Sequence, residues 1–219
     1  MNSTSGPMSW LTPEKAYIFR IVHLDNIPWL LDHGLHCANS AVQDPHFVPI
    51  GNTDVISRRA TRQIEVSPGG TISDYVAFYF TPSSLMLFNI LTGFQVPKKS
   101  KDEIVILVSS LHRLASRGID FVLTDRNAVL KTAQFSNDIA RLDWINWQDL
   151  QNRDFRVDPN RPDKKERYMA EVLVYQHLPR ESLLGIVGNS ASVEDSLKRE
   201  ASVRNLKIRT LTRPSWYFS

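Results

Sequence analysis

The chain is most constrained by a series of strand-length apolar runs that recur without a fixed interval. They lie at residues 18–24, 75–80, 103–109, 120–123, 170–175, 183–187 and 206–212, and most are rich in β-branched and aromatic side chains. Because no period recurs, stacked repeats are excluded. Helical patterns interrupt the runs irregularly, so the order is that of an α+β fold and not of an alternating parallel sheet.

The helical segments carry their own punctuation. Thr12-Pro13-Glu14 has the cap, first-turn proline and early acid of a helix start, and Asp25 caps a second helix through Trp29, Leu30 and Leu31 that Gly34 ends. Asp54 caps a helix over 55–63, in which Arg58 and Arg62 share a face and Arg59 points elsewhere. Ser67-Pro68-Gly69-Gly70 is a turn, and Thr81-Pro82 opens a helix over 83–91 that closes near Gly93. Further helices are expected over 110–117, 138–150 and 193–203.

With 219 residues, 42% of them hydrophobic, the chain can bury a core of its own as one domain over 10–219, preceded by a loose arm over 1–9. No apolar run approaches the roughly 20 residues of a membrane span, and the first residues lack the pattern of an export signal; a cytoplasmic address without membrane association is expected. Cys37 is the single cysteine, which excludes an internal disulfide and a cysteine-type zinc site. Six scattered histidines give no ligand spacing, so no metal is expected, and neither a dinucleotide fingerprint nor a phosphate loop is present.

Chemistry must therefore reside in separate features. Glu171 stands at the head of an apolar strand, where a charge is costly unless it has partners or a task; a water-facing edge strand is the plain alternative. His23 and Asn26 fall at a strand-to-helix corner. A net charge of +3 is weak evidence for a polyanionic partner, but Arg58, Arg59 and Arg62 cluster in one segment, and Lys164, Lys165 and Arg167 belong to another. Interspersed Asp154, Asp158, Asp163 and Glu166 leave that second group readable as a solvated loop.

Three of these pieces, in order, resemble the DarT family of DNA-modifying toxins: Ile21-Val-His-Leu-Asp-Asn-Ile27 with Leu30 and Gly34-Leu35, Asp74-Tyr-Val-Ala-Phe-Tyr-Phe-Thr-Pro82 with Ser84, Met86 and Leu87, and Ala170-Glu-Val-Leu-Val-Tyr175. The resemblance implies an ADP-ribosyltransferase-like split mixed sheet flanked by short helices, with NAD⁺ as co-substrate in the cleft. It implies transfer of ADP-ribose to a base in single-stranded DNA, thymine in this reading, and a macrodomain antitoxin as partner. Glu171 then matches the catalytic glutamate, and one arginine among Arg58, Arg59 and Arg62 the catalytic arginine, with Arg62 favoured. His23, Asn26, Leu24 and Tyr79 fall at the NAD⁺ site, with Arg58, His46, Tyr75, Met86, Lys164, Lys165 and Arg167 toward DNA. Two rival readings remain open on the residues alone: an NAD⁺-consuming toxin whose acceptor is protein, RNA or water, and a non-catalytic nucleic-acid-binding module.

Overall fold

The computed structural model describes residues 8–218. Along the chain run β1 (Tyr17–His23), α1 (Ile27–His33), β2 (Leu35–His36), α2 (Thr53–Thr61), β3 (Tyr75–Tyr79), α3 (Leu85–Thr92), β4 (Ile104–Ser110), α4 (Leu111–Ser116) and β5 (Phe121–Thr124). Then follow β6 (Phe135–Ser136), α5 (Trp147–Asn152), α6 (Lys164–Arg167), β7 (Glu171–Tyr175), β8 (His177–Leu178), β9 (Gly185–Gly188), α7 (Ala191–Val203) and β10 (Arg209–Thr212).

Eight strands form one sheet in the order β10-β9-β4-β1-β3-β7-β5-β6, and β2 pairs with β8 in a small separate ladder. Among the described residues only β9 and β10 run parallel; the other neighbours are antiparallel. The expected α+β class therefore holds, and so does the split. β1 and β4 stay in register from Tyr17 with Ser110 to His23 with Ile104, and β3 and β7 from Tyr75 with Tyr175 to Tyr79 with Glu171. Between β1 and β3 the ladder registers one pair, Phe19 with Tyr79. The halves thus diverge beyond Phe19, and Arg20 bridges the gap by donating from Nη1 to the Ala77 carbonyl at 2.8 Å.

Ile104, Val105, Ile106 and Leu107 in β4, and Val172, Leu173 and Val174 in β7, are completely buried. Both faces of these strands are covered, which is why the sequence reads there as a continuous apolar run instead of an alternation. Glu171 consequently enters a strand with no wet face. At the C-terminus, Trp216 packs on Trp10 and Phe19, Phe218 on Phe88 and Phe155, and the Tyr217 hydroxyl lies 3.0 Å from the Ile104 carbonyl.

Several sequence expectations need correction. Residues 13–15 form a turn and not a helix. The segment 138–150 is broken: a 3₁₀ stretch Ile139–Trp144 ends at Ile145, and Asn146 then caps α5 by accepting from the Asp149 amide. Helix α2 begins two residues before the predicted 55–63, because Asn52 and not Asp54 caps it. It also stops at Thr61, since Arg62 turns extended so that its carbonyl accepts from Ile72 and Gln63 bridges Thr71. Of the arm expected over 1–9, residues 1–7 lie outside the described residues, whereas Met8 is buried and its amide donates to Gln151.

Candidate active site

Glu171 is 1% exposed. One carboxylate oxygen accepts from Arg59 Nη1 at 2.9 Å, the other from the Ala128 amide at 3.2 Å, and its own amide donates to Thr124 Oγ1 at 2.9 Å. A charge-assisted bond and a backbone donor thus replace the water the carboxylate has lost. Arg59 approaches from α2, 112 residues away in sequence.

Tyr79 faces Glu171 in register, and its phenol is held above its usual range first by burial and then by the Glu171 charge. It stays protonated at neutral pH, with its hydroxyl 3.7 Å from Met86 Sδ. Arg20 has its pKa pulled down to about 10, first by burial and then by the like charge of Arg59. Arg59 is thus bonded to the carboxylate, and Arg20 lies close enough to feel the charge of both. The side-chain atoms Arg20 Nε, Arg59 Nη2, Arg62 Nε and His23 Nε2 are buried without partners. Such a set of unsatisfied donors suits a ligand rich in acceptor oxygens, as the diphosphate and riboses of NAD⁺ are.

His23 closes β1, where Nδ1 accepts from the Asp25 amide at 3.2 Å. That bond orients the ring so that Nε2 points toward the Glu103 carboxylate at 3.5 Å. Buried Asn26 is a clamp: its side chain donates to the Val48 carbonyl and accepts from the Val48 amide, anchoring the long loop before α2. Leu24 packs against the main core beside it.

The other sequence-predicted residues divide by placement. Arg62 does not share a helical face with Arg58; its guanidinium lies over the Phe135 ring, 5.4 Å from the centroid. Phe135 pairs with Thr124, so Arg62 remains at the Glu171 end of the sheet. Arg59, expected to point elsewhere, is the arginine that reaches the carboxylate. Arg58, His46 and Lys165 are exposed and Met86 half-buried. Tyr75 is a core residue, with its hydroxyl on the Gly69 carbonyl, and offers no open face to a base. Lys164 is buried and bonded to Asp154, and Arg167 is bonded to Asp163, so neither is a free phosphate contact.

Sequence reasoning missed Arg20 and the Ala128 amide, and it named Arg59 in the basic cluster without singling it out. The polar run Thr124-Asp-Arg-Asn127, abruptly following an apolar strand, was the available signal for the last. A surface depression of about 380 Å³ lined by His36, Cys37, Asn39, Asp74 and His177 shares no residue with the Glu171 cluster. Among the described residues no group of three or more His, Cys, Asp or Glu is placed to hold a metal ion.

The model of the family "ssDNA thymidine ADP-ribosyltransferase, DarT" matches residues 19–218. The chain belongs to the DarT family. A DNA ADP-ribosyl transferase of Escherichia coli O127:H6 is 48% identical over 95% of this chain and 96% of its own. A DNA ADP-ribosyl transferase of a Thermus strain is 32% identical over 94% and 98%. Solved structures of Thermus sp. 2.9 DarT superpose with TM-scores of 0.87 in complex with ADP-ribosylated single-stranded DNA and 0.83 in complex with NAD⁺, at 30% and 31% identity; each covers 94% of this chain and 98% or 99% of the other. Family membership makes this DarT an NAD⁺-dependent DNA ADP-ribosyltransferase, and the split sheet is the fold those structures share.

Proposed function

We propose that this chain joins the ADP-ribosyl group of NAD⁺ to N3 of a thymine in single-stranded DNA, with Glu171 as the group that accepts the N3 proton. The observation that carries this reading is the buried carboxylate held between Arg59 and the Ala128 amide beside the open seam of the sheet. N3 is the only ring nitrogen of a thymidine that bears a hydrogen, so bonding there requires a base.

When bound, NAD⁺ supplies the ADP-ribosyl group by cleavage of its C1′–nicotinamide bond, the electron pair leaving with nicotinamide. Positive charge develops on the ribose, and the ionised Glu171, fixed in a site dried by its own strand, stabilises it at no cost in reorganisation. The same carboxylate takes the N3 proton as the N3–C1′ bond forms. Arg20 and Arg59 meet the acceptor oxygens of the co-substrate, and the Nε2–H of His23 donates to its ribose. Asn26 and Leu24 hold the loop that covers it. Arg62 orients the thymine carbonyls, which a planar fork of donors fits better than a lysine.

A base must leave the stack to reach such a cleft, so single-stranded DNA is the cheaper substrate. Arg58, His46, Met86 and Lys165 remain available for it. The reading extends to a toxin acting in the cytoplasm, its modification reversed by a macrodomain partner. It is supported by a Thermosipho africanus relative named a DNA ADP-ribosyl transferase–DNA ADP-ribosyl glycohydrolase fusion protein, 22% identical over 94% of this chain and 50% of that one.

The test is incubation of labelled NAD⁺ with thymine-containing and thymine-free single-stranded DNA, RNA, protein and buffer, using the wild type and Glu171→Gln. Label should enter only thymine-containing DNA, and Glu171→Gln should retain less than about 1% of the rate. Labelled protein or RNA, or a Glu171→Gln variant of near-normal activity, would overturn the assignment.

A further inference from the structure

We infer that Asp125, acting with Arg126, is a positioning residue for Glu171: it locks the turn after β5 whose Ala128 amide fixes the orientation of the carboxylate. The inference rests on the role proposed for Glu171 and extends it to residues that never touch substrate.

The turn grips Glu171 twice. Thr124 Oγ1 accepts from the Glu171 amide at 2.9 Å and donates to the Arg126 carbonyl at 2.6 Å, and four residues further the Ala128 amide donates to Glu171 Oε1 at 3.2 Å. Asp125, 4% exposed, holds the turn closed: one oxygen accepts from the Gln134 amide at 2.9 Å and the other from Arg126 Nε at 3.0 Å. Arg126 then reaches Asp163 at 3.6 Å and Glu166 at 3.5 Å, and Arg167 returns to Asp125 at 3.5 Å. The Asn127 amide donates to the Glu166 carbonyl at 3.1 Å. Helix α6, which carries Glu166 and Arg167, ends four residues before Glu171. The network therefore joins the turn beside the carboxylate to the chain that delivers it.

The buried pair at the network's centre, Asp125 with Arg126, contributes less to stability than apolar packing of equal volume would. Their distinctive product is geometry: fixed bonds that set one carboxylate orientation, in a reaction where a shift of about 1 Å can cost a hundredfold in rate. The charged stretch before β7 thus has an internal task, in which Arg167 is engaged by its bonds to Asp163 and Asp125.

The experiment compares Asp125→Asn with Asp163→Asn/Glu166→Gln, which loosens the network from its half-exposed side should the buried change impair folding. Single-turnover rates are measured with NAD⁺ and a thymine oligonucleotide saturating, together with oligonucleotide KM, melting temperature and the pH–rate profile. A folded variant should lose at least tenfold in rate constant with KM changed less than twofold. The acidic limb of its profile should move to higher pH, because a carboxylate that loses its amide donor is protonated more readily. A rate and profile equal to wild type, with Glu171→Gln inactive, would overturn the positioning role alone. An active Glu171→Gln would overturn the reading beneath it. A slow variant whose profile is unmoved and whose KM rises in parallel would mark the network as structural only.

Discussion

Replacing Glu171 by glutamine removes the negative charge bonded to Arg59 and felt by Arg20 while conserving its volume, and should lower the stability of the fold as well as its activity. Arg20 already pays for its burial, which pulls its pKa down to about 10. Burial is the larger cause and Arg59 the next, while the Glu171 charge opposes both. Without that charge two guanidiniums face each other unscreened, and breaking one side of a buried pair costs about 3 to 5 kcal/mol. For a chain of this length roughly 3 kcal/mol lowers the melting temperature by about 6 to 12 °C. The converse change, Arg59→Met, removes a cation from a cluster with a cation in excess, so its cost should be at most half as large. Differential scanning calorimetry at pH 7 measures both. If Glu171→Gln melts with the wild type, or if Arg59→Met is the more destabilised, the electrostatic account of the cluster is wrong.

Four further changes separate other claims. Lys165→Gln should weaken oligonucleotide binding a few-fold and reduce its salt slope by about one, whereas Lys164→Met should leave the slope alone and lower the melting temperature, as fluorescence titrations and melts would show. Tyr217→Phe leaves the Ile104 carbonyl without its hydroxyl donor and should cost about 1 kcal/mol in urea unfolding with activity unchanged. Glu103 has its pKa lowered to about 2, first by the Ser100 amide and then by Lys99. A carboxylate depressed in the folded state contributes stability that is present above its unfolded pKa and lost as the pH falls toward its folded one. Glu103→Gln should therefore melt below wild type at pH 7, and the gap should close between about pH 4.5 and 2.

The strands were legible because burial on both faces leaves an unbroken apolar trace, and Glu171 was legible because it interrupts one. The arginine that holds it was not. Which face of α2 presents to the carboxylate depends on where the helix begins and ends, and both ends are set from outside the helical pattern, by the Asn52 cap and by the pairing of 62–63 with 71–72. Lys164 looked like a surface cation since nothing local reveals that Asp154 folds back over it. The segment 138–150 has helical spacing throughout, but Asn146 competes for the backbone amide of Asp149 and restarts the helix. The resemblance places Tyr75 toward DNA, and nothing local reveals that the Gly69 carbonyl takes its hydroxyl.

The pairing of distant strands also sets an order of assembly. β1 finds β4 once residue 110 exists, so that half of the sheet can form early, whereas β3 has no partner in its own half until β7 is made. Arg59 and Glu171 are separated by 112 residues, and contacts of such range must be formed against the entropy of closing a long loop. During synthesis the basic helix and the seam strand therefore wait, without their carboxylate, until the ribosome has passed residue 171. A nascent chain interrupted before that point carries the arginines of α2 without Glu171, and on the role proposed for that carboxylate it should transfer no ADP-ribose to DNA.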